Sequence, residues 1–221
     1  MLAKELITRD IPTLSVTDTG EEALDLMDSF KVIHLPIVDN RDYLGLISEK
    51  NIQDMNLFEK ALGNFSNSLI NPYVYGDQHI YDVIGLVSDL KLTVIPVIDN
   101  KKEFLGLITM YNLINNISKV SAVTEPGGII LLELNINDYS VTEIANIVES
   151  NNARILSLFI TSPKDTTKIE LTLKINRKEL SSIIRSFERY GYVIKASFQK
   201  DDKLTEWYEN RYESFLRYLN T

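Results

Sequence analysis

Two short patterns, Ser48-x-x-Asn51 and Thr109-x-x-Asn112, set a hydroxyl and an amide three residues apart at what their flanks mark as helix starts. A helix start leaves backbone N–H groups unpaired and carries the positive end of the dipole, so a hydroxyl there helps to hold an anion. The residue three positions on lies at the same end, within reach of a sugar. The same pairs also read as ordinary helix caps, which contribute about 1 kcal/mol with no ligand at all. Both readings stand on the sequence. His34, two residues before Pro36, is the third polar group of interest.

Little else suggests a reaction. His34 and His79 are the two histidines, and neither falls in a triad or metal motif. The absence of cysteine excludes disulfides, thiol nucleophiles and thiolate metal sites together. There is no Gly-x-x-x-x-Gly-Lys loop and no Gly-x-Gly-x-x-Gly fingerprint. Asp39-Asn40 and Asp99-Asn100 read as hairpin-turn residues, and Gly127-Gly128 as a linker joint. Paired carboxylates stay open, because any two can meet in a fold, but no pair is singled out. The expectation is a non-enzyme with no metal site and no obligatory cofactor.

Composition bounds the partners. The 221 residues, 44% hydrophobic and 24% charged, suit globular domains with real cores. A net charge of −8 argues against nucleic acid, whose phosphates need clustered Lys and Arg. The longest apolar runs, such as Gly128 to Leu132, fall far short of the ~20 residues a membrane span needs. Met1 to Leu6 carries charge early and has no secretory apolar core. A cytoplasmic location, with no membrane contact, is expected.

The elements that must position the polar pairs come from a duplication. His34-Leu35-Pro36-Ile37-Val38-Asp39-Asn40 is echoed by Val94-Ile95-Pro96-Val97-Ile98-Asp99-Asn100, and Tyr43-Leu44-Gly45-Leu46-Ile47-Ser48 by Phe104-Leu105-Gly106-Leu107-Ile108-Thr109. The period is roughly 60 residues, too long for most solenoids and suited to a self-packing pair. Thr19-Gly20-Glu21-Glu22 is a capping box opening a helix with Ala23, Leu26, Met27 and Phe30 on one face. Strands over Val32–Val38 and Tyr43–Ile47 follow, and Ser48 opens another helix. In the second copy Asp77 is expected to cap a helix bearing Ile80, Val83, Ile84, Val87 and Leu90. Strands over Thr93–Ile98 and Glu103–Ile108 lead to the helix at Thr109. With short strands at Thr13–Val16 and Tyr73–Tyr75, each unit is β-α-β-β-α, spanning 1–60 and 61–120.

The repeated pattern apolar-Pro-apolar-apolar-Asp, then Leu-Gly-Leu-Ile-[Ser/Thr]-x-x-Asn, resembles the CBS domain, whose tandem pairs are called Bateman modules. The resemblance covers about residues 1–118. It implies a cleft between the copies that takes an adenosine-containing ligand, such as AMP, ADP, ATP or S-adenosylmethionine. By that resemblance Ser48 and Thr109 contact phosphate, Asn51 and Asn112 bond ribose hydroxyls, and His34 faces phosphate as a basic residue. Both third positions hold Asn where the family commonly has Asp. Asn keeps an acceptor and adds a donor, but loses the charge that strengthens a ribose bond. The counterpart of His34 is Val94, so the first cleft is expected to be better equipped for phosphate. Without a ligand, His34 reads as a partly exposed strand histidine.

From Gly128 the pattern changes to βαββαβ over 128–199, a split βαβ arrangement. A strand over Ile129–Ile136 leads to a helix opened by Ser140-Val141-Thr142-Glu143, with Val141, Ile144, Ala145 and Val148 inward. A hairpin over Arg154–Thr161 and Ile169–Ile175 follows, then a helix capped by Asn176 and bearing Leu180, Ile183, Ile184 and Phe187. Tyr192–Phe198 is the last strand. Placed after a CBS pair, the unit resembles the ferredoxin-like ACT domain, a regulatory module that often binds amino acids between subunits. ACT domains that do so usually carry Gly in the first strand-to-helix loop. Here the loop is Asn137-Asp138-Tyr139-Ser140, which favours dimerisation over amino-acid binding. The domain order resembles that of bacterial acetoin utilization accessory proteins. Residues 200–221 read as an amphipathic helix through Trp207, Tyr208, Tyr212, Phe215 and Leu219, packing on its own domain or a sister subunit.

The fold expected is thus mixed α+β: a pseudo-symmetric CBS pair, a ferredoxin-like ACT-type domain and a terminal helix. The function expected is a homodimeric regulatory sensor of an adenosine nucleotide, acting on a separate target protein. A ligand-free dimerisation scaffold, or amino-acid sensing through the ACT-like unit, stands beside it.

Overall fold

The computed structural model describes residues 1–162 and 167–199; the terminal helix expected over 200–221 lies outside the described residues. The fold is mixed α+β and divides into two compact units, Met1–Ile117 and a second beginning at Ser118.

In the first copy, Thr19 caps α1 (Gly20–Phe30) through the reciprocal box its sequence announces. Its hydroxyl accepts the Glu22 N–H at 3.4 Å, and the Glu22 carboxylate accepts the Thr19 N–H at 2.8 Å. Ala23 and Met27 seat in the core, but Phe30, expected inward, ends 38% exposed on the last turn. β1 (His34–Asp39) and β2 (Asp42–Ser48) form an antiparallel hairpin, and α2 (Glu49–Asp54) follows. The strand expected at Thr13–Val16 shrinks to one parallel bridge, Leu14 to Ile37. The Asp18 carboxylate captures the Ser15 N–H at 2.8 Å and turns the chain before a ladder can extend.

The second copy repeats this with β3 (Val74–Tyr75), α3 (Ile80–Leu90), β4 (Val94–Ile98), β5 (Phe104–Thr109) and α4 (Met110–Val120). Its helix is capped by His79, not by Asp77. His79 Nδ1 accepts the Tyr81 N–H at 3.3 Å, and Asp82 accepts the His79 N–H at 3.2 Å. Gln78 is held in the preceding turn by the Tyr75 N–H, so helical geometry begins only where Ile80 enters the core.

The copies exchange their opening segments. The 3₁₀ turn Ala3–Leu6 lies on the second copy, with Ala3 N–H donating to Gln78 O at 2.9 Å and Thr8 N–H to Leu107 O at 2.8 Å. The 3₁₀ turn Leu62–Ser68 lies on the first, with Gly63 N–H donating to Val16 O at 2.9 Å and Leu46 N–H to Ile70 O at 3.0 Å. Leu46 and Leu107 hold the same place in the repeat. One apolar core then joins Leu35, Ile37 and Leu46 to Leu92, Val94 and Leu107. The two copies fold as one body.

The second unit is a four-stranded antiparallel sheet of β6 (Gly128–Asn135), β7 (Ile155–Thr161), β8 (Lys168–Ile175) and β9 (Val193–Phe198), in the order β7-β8-β6-β9. Alternation puts Ile130, Leu132 and Leu134 of β6 and Leu171, Leu173 and Ile175 of β8 on one face. That face is covered by α5 (Val141–Ser150), through Ile144, Ile147 and Val148, and by α6 (Ser181–Arg189), through Ile183 and Phe187. Val141, expected inward, is 49% exposed at the first helical position, and Ile147 takes the core place instead. Asn176 does not cap α6, which starts at Ser181. Its Oδ1 accepts the Arg154 N–H at 2.6 Å and ties the end of β8 to the entry of β7.

Candidate functional site

The candidate site is built where the two copies meet at the starts of β1 and β4. The Ile33 N–H donates to Thr93 Oγ1 at 3.1 Å, and the Thr93 N–H points at His34 Nδ1 at 3.4 Å. Thr93 Oγ1 also lies 3.1 Å from His34 Nδ1. An N–H aimed at Nδ1 makes that nitrogen an acceptor and puts the ring proton on Nε2. Sequence reasoning missed Thr93. Its signal was only positional: it is the repeat counterpart of Ile33 and precedes Val94, the counterpart of His34.

Half-burial of His34 holds its pKa below the ordinary value of 6.5, because desolvation disfavours the imidazolium. Below pH 6.5 the unfolded chain therefore binds a proton that the folded chain resists. Stability contributed by the neutral ring is present above 6.5 and is lost as pH falls toward the folded pKa. We expect the His34 ring signals to titrate by NMR with a midpoint below 6.5, and His34→Gln to reduce the loss of thermal stability between pH 6.5 and 5. An unchanged acid profile in that variant would refute the assignment.

Hairpin register sets Ser48 opposite His34, and Thr109 opposite Val94. The two hydroxyl–amide pairs then differ. Ser48 and Asn51 close a complete box: the Ser48 hydroxyl donates to Asn51 Oδ1 at 2.6 Å and the Ser48 N–H to the same oxygen at 3.0 Å, while the Asn51 N–H donates to Ser48 Oγ at 3.1 Å. The side-chain oxygen of Asn51 is thus committed to its own helix. At the other start, the Asn112 N–H donates to Thr109 Oγ1 at 3.0 Å, but among the described residues the Asn112 side chain makes no return bond. The helices also differ in length: α2 has 6 residues and α4 has 11. All five sequence candidates are half-buried. The structure brings His34 to Thr93 of the other copy, with Ser48 opposite His34 at the end of β2 and Asn51 on α2, and leaves Thr109 at the end of β5 and Asn112 on α4.

The second unit holds a cavity of about 350 Å³ that the sequence did not reveal. Its walls include Glu133, Asp138, Glu143, Lys168 and Tyr192, and the Tyr192 hydroxyl donates to the Glu143 carboxylate at 2.8 Å. Lys168 is ion-paired to Glu133. The loop after β6, which lacks glycine, forms part of the wall through Asp138. Among the described residues no cluster of His, Asp or Glu could hold a metal, and no helix is long and apolar enough to cross a membrane.

A family model for the CBS domain matches residues 3–55 and again 68–119. Inosine-5'-monophosphate dehydrogenase of Methanocaldococcus jannaschii is 23% identical over 133 residues, covering 59% of this chain and 26% of that protein. Homoserine O-acetyltransferase of Methanococcus vannielii is 24% identical over 124 residues, covering 53% of this chain and 25% of that protein. The chain thus spans about a quarter of the length of these relatives. Among solved structures, a CBS domain pair/ACT domain protein from Thermotoga maritima is 19% identical at a TM-score of 0.48, covering 54% of this chain and 98% of that one. CBSX2, solved in complex with AMP, is 19% identical at a TM-score of 0.43, covering 54% and 97%. The CBS domain of a bacterial CNNM/CorC family Mg2+ transporter, in complex with ATP, is 17% identical at 0.42, covering 53% and 87%.

Proposed function

The chain carries a tandem pair of CBS domains, and from that premise we propose that its first unit is a non-catalytic sensor of an adenosine-containing nucleotide. The observation that carries the reading furthest is the open pair at the start of α4. Thr109 offers a hydroxyl beside the first N–H groups of a three-turn helix, a setting that favours phosphate. The Asn112 amide, not folded back onto its own cap, is available to a ribose hydroxyl as both donor and acceptor. Ser48, Asn51 and His34 form the weaker seat. Their polar atoms already bond one another and Thr93, and a neutral His34 offers a phosphate an N–H rather than a full charge. On this reading the second copy holds the stronger seat, where the histidine alone favours the first.

Transmission follows from the shared core. A ligand drawn to one helix start acts on a body whose two copies share a core and exchange their opening segments. It regulates a target only if it binds two arrangements of that body with different affinity. In the second unit, the cavity walls carry Glu133, Asp138 and Glu143, and the cation among the described lining residues, Lys168, is already engaged by Glu133. That favours an association role for the ACT-like unit over amino-acid sensing.

Thermal unfolding with AMP, ADP, ATP, S-adenosylmethionine, NAD and free amino acids tests the reading. A ligand at a hundred times its Kd stabilises the native state by about 2.7 kcal/mol. Thr109→Ala is expected to abolish the shift and Ser48→Ala to retain most of it, each measured against its own ligand-free melt because both lose a cap. The reverse order would return the stronger seat to the first copy. A shift with an amino acid alone would move the site to the second unit. No shift with any compound would defeat the sensor and leave the scaffold.

A further inference from the structure

The starts of α2 and α4 are joined by one line of hydrogen bonds. In each copy the residue just before the first hairpin strand holds the first N–H of the helix that follows the hairpin. Ile33 O accepts the Glu49 N–H at 3.1 Å, and Thr93 O, at the corresponding place in the repeat, accepts the Met110 N–H at 3.2 Å. These two bonds are local to their copies. A single side chain joins them: Thr93 Oγ1 accepts the Ile33 N–H at 3.1 Å, so the line runs Glu49, Ile33, Thr93, Met110. The repeat makes this crossing in one direction, because Ile33 has no hydroxyl to return it. The hydroxyl proton of Thr93 is left for His34 Nδ1, 3.1 Å away, at which the Thr93 N–H also points.

We propose that Thr93 is a positioning residue that couples the two helix starts, passing a change at the start of α4 through its carbonyl and hydroxyl to the start of α2. The use made of that link rests on the nucleotide reading above, but the link itself is present without ligand. An anion drawn to α4 competes with Thr93 O for the Met110 N–H, since the first N–H groups of a helix are the ones a phosphate takes. Thr93, released from that bond, holds the Ile33 N–H and His34 less firmly. Both lie at the entry of β1, and Ser48 is the residue opposite His34 in the hairpin. Occupancy of the second seat thus frees donors at the first. By linkage, the first seat raises the affinity of the second by the same factor.

Amide hydrogen exchange on the full chain tests the link with no nucleotide present. Thr109→Ala removes the cap of α4 and loosens its first turn. The Glu49 amide is then expected to exchange about fivefold faster, the scale of coupling within one hydrogen-bond network. The Val38 amide, bonded to Leu14 O in the same copy, should keep its rate; a general loss of stability would speed both. In the Thr93→Val background, which keeps the shape and the carbonyl but loses the hydroxyl, Thr109→Ala should leave Glu49 unchanged. Thr93→Ser should restore the response. A Glu49 amide indifferent to Thr109→Ala in the otherwise wild-type chain, or one that responds equally in the Thr93→Val background, overturns the proposal. Amide NMR with saturating AMP separates the two readings. The Asn112 and Glu49 signals should both move in the wild-type chain, and Asn112 alone in Thr93→Val. Movement of Asn112 without Glu49 in the wild type defeats the coupling and keeps the sensor. No movement with AMP, alongside the expected exchange result, counts against the sensor and keeps the coupling.

Discussion

Replacing Gly127 by alanine is expected to destabilise the βαββαβ unit by about 3 kcal/mol while the melting of the CBS pair stays in place. Gly127 has φ near +150°, a region that residues bearing a Cβ rarely adopt. A Cβ built there would lie 2.0 Å from the carbonyl oxygen of Ile175, which is backbone and cannot swing aside. The next residue starts β6, whose Gly128 N–H donates to Arg177 O at 2.8 Å, so relief of the clash displaces the entry of the central strand. The core of this unit, around Ile130, Leu171 and Phe187, is built separately from the cores of the CBS pair, and that separation confines the damage. Urea unfolding followed by amide exchange checks it: amides of β6 and β8 should lose protection at lower urea, and those of β1 and β4 should not. Gly85→Ala is the control. Gly85 lies within α3 with open space where a Cβ would go, so alanine there should stabilise by about 0.5–1 kcal/mol. A Gly127→Ala chain as stable as wild type would mean that the backbone at this joint relaxes freely.

Leu107→Ala is expected to cost about 3 kcal/mol and to lower the melting of both CBS copies together. Leu107 is 1% exposed and packs in the core that holds Leu14, Leu35 and Leu46 of the first copy. Truncation removes transfer free energy and leaves a cavity whose walls belong to both copies, so neither can relax alone. Differential scanning calorimetry should show one shifted transition for this unit. Two transitions, with only the second copy weakened, would show that the copies are thermodynamically separate and would remove the basis for transmission. If the proposed sensor reading holds, a nucleotide restores part of the lost stability in this variant, since Thr109 and Asn112 are not altered.

Much of this protein was legible in sequence because the deciding interactions are local. The echo of His34–Ser48 in Val94–Thr109 announced two like hairpins, and Thr19 with Glu22 announced a helix start that the structure reproduces bond for bond. Period-two alternation in β6 and β8, and helical spacing in α5 and α6, dictated the order βαββαβ. Where local signals competed, the structure chose by burial. His79 displaced Asp77 as a cap because Ile80 had to begin the buried face, and Asn176 was drawn to the Arg154 N–H instead of a helix.

What the tertiary structure alone decided are the contacts between segments far apart in the chain. No local pattern shows that Met1–Thr8 lies on the second copy and Leu62–Ile70 on the first, because those bonds run between backbones and any residue can make them. None shows that Thr93 meets His34, or that Asn51 folds back on Ser48 while Asn112, in the same motif, does not. The apolar run of β7 could as well have been a buried strand. Alternation sets which face a residue points to, but only the packed sheet sets which strand is left at the edge.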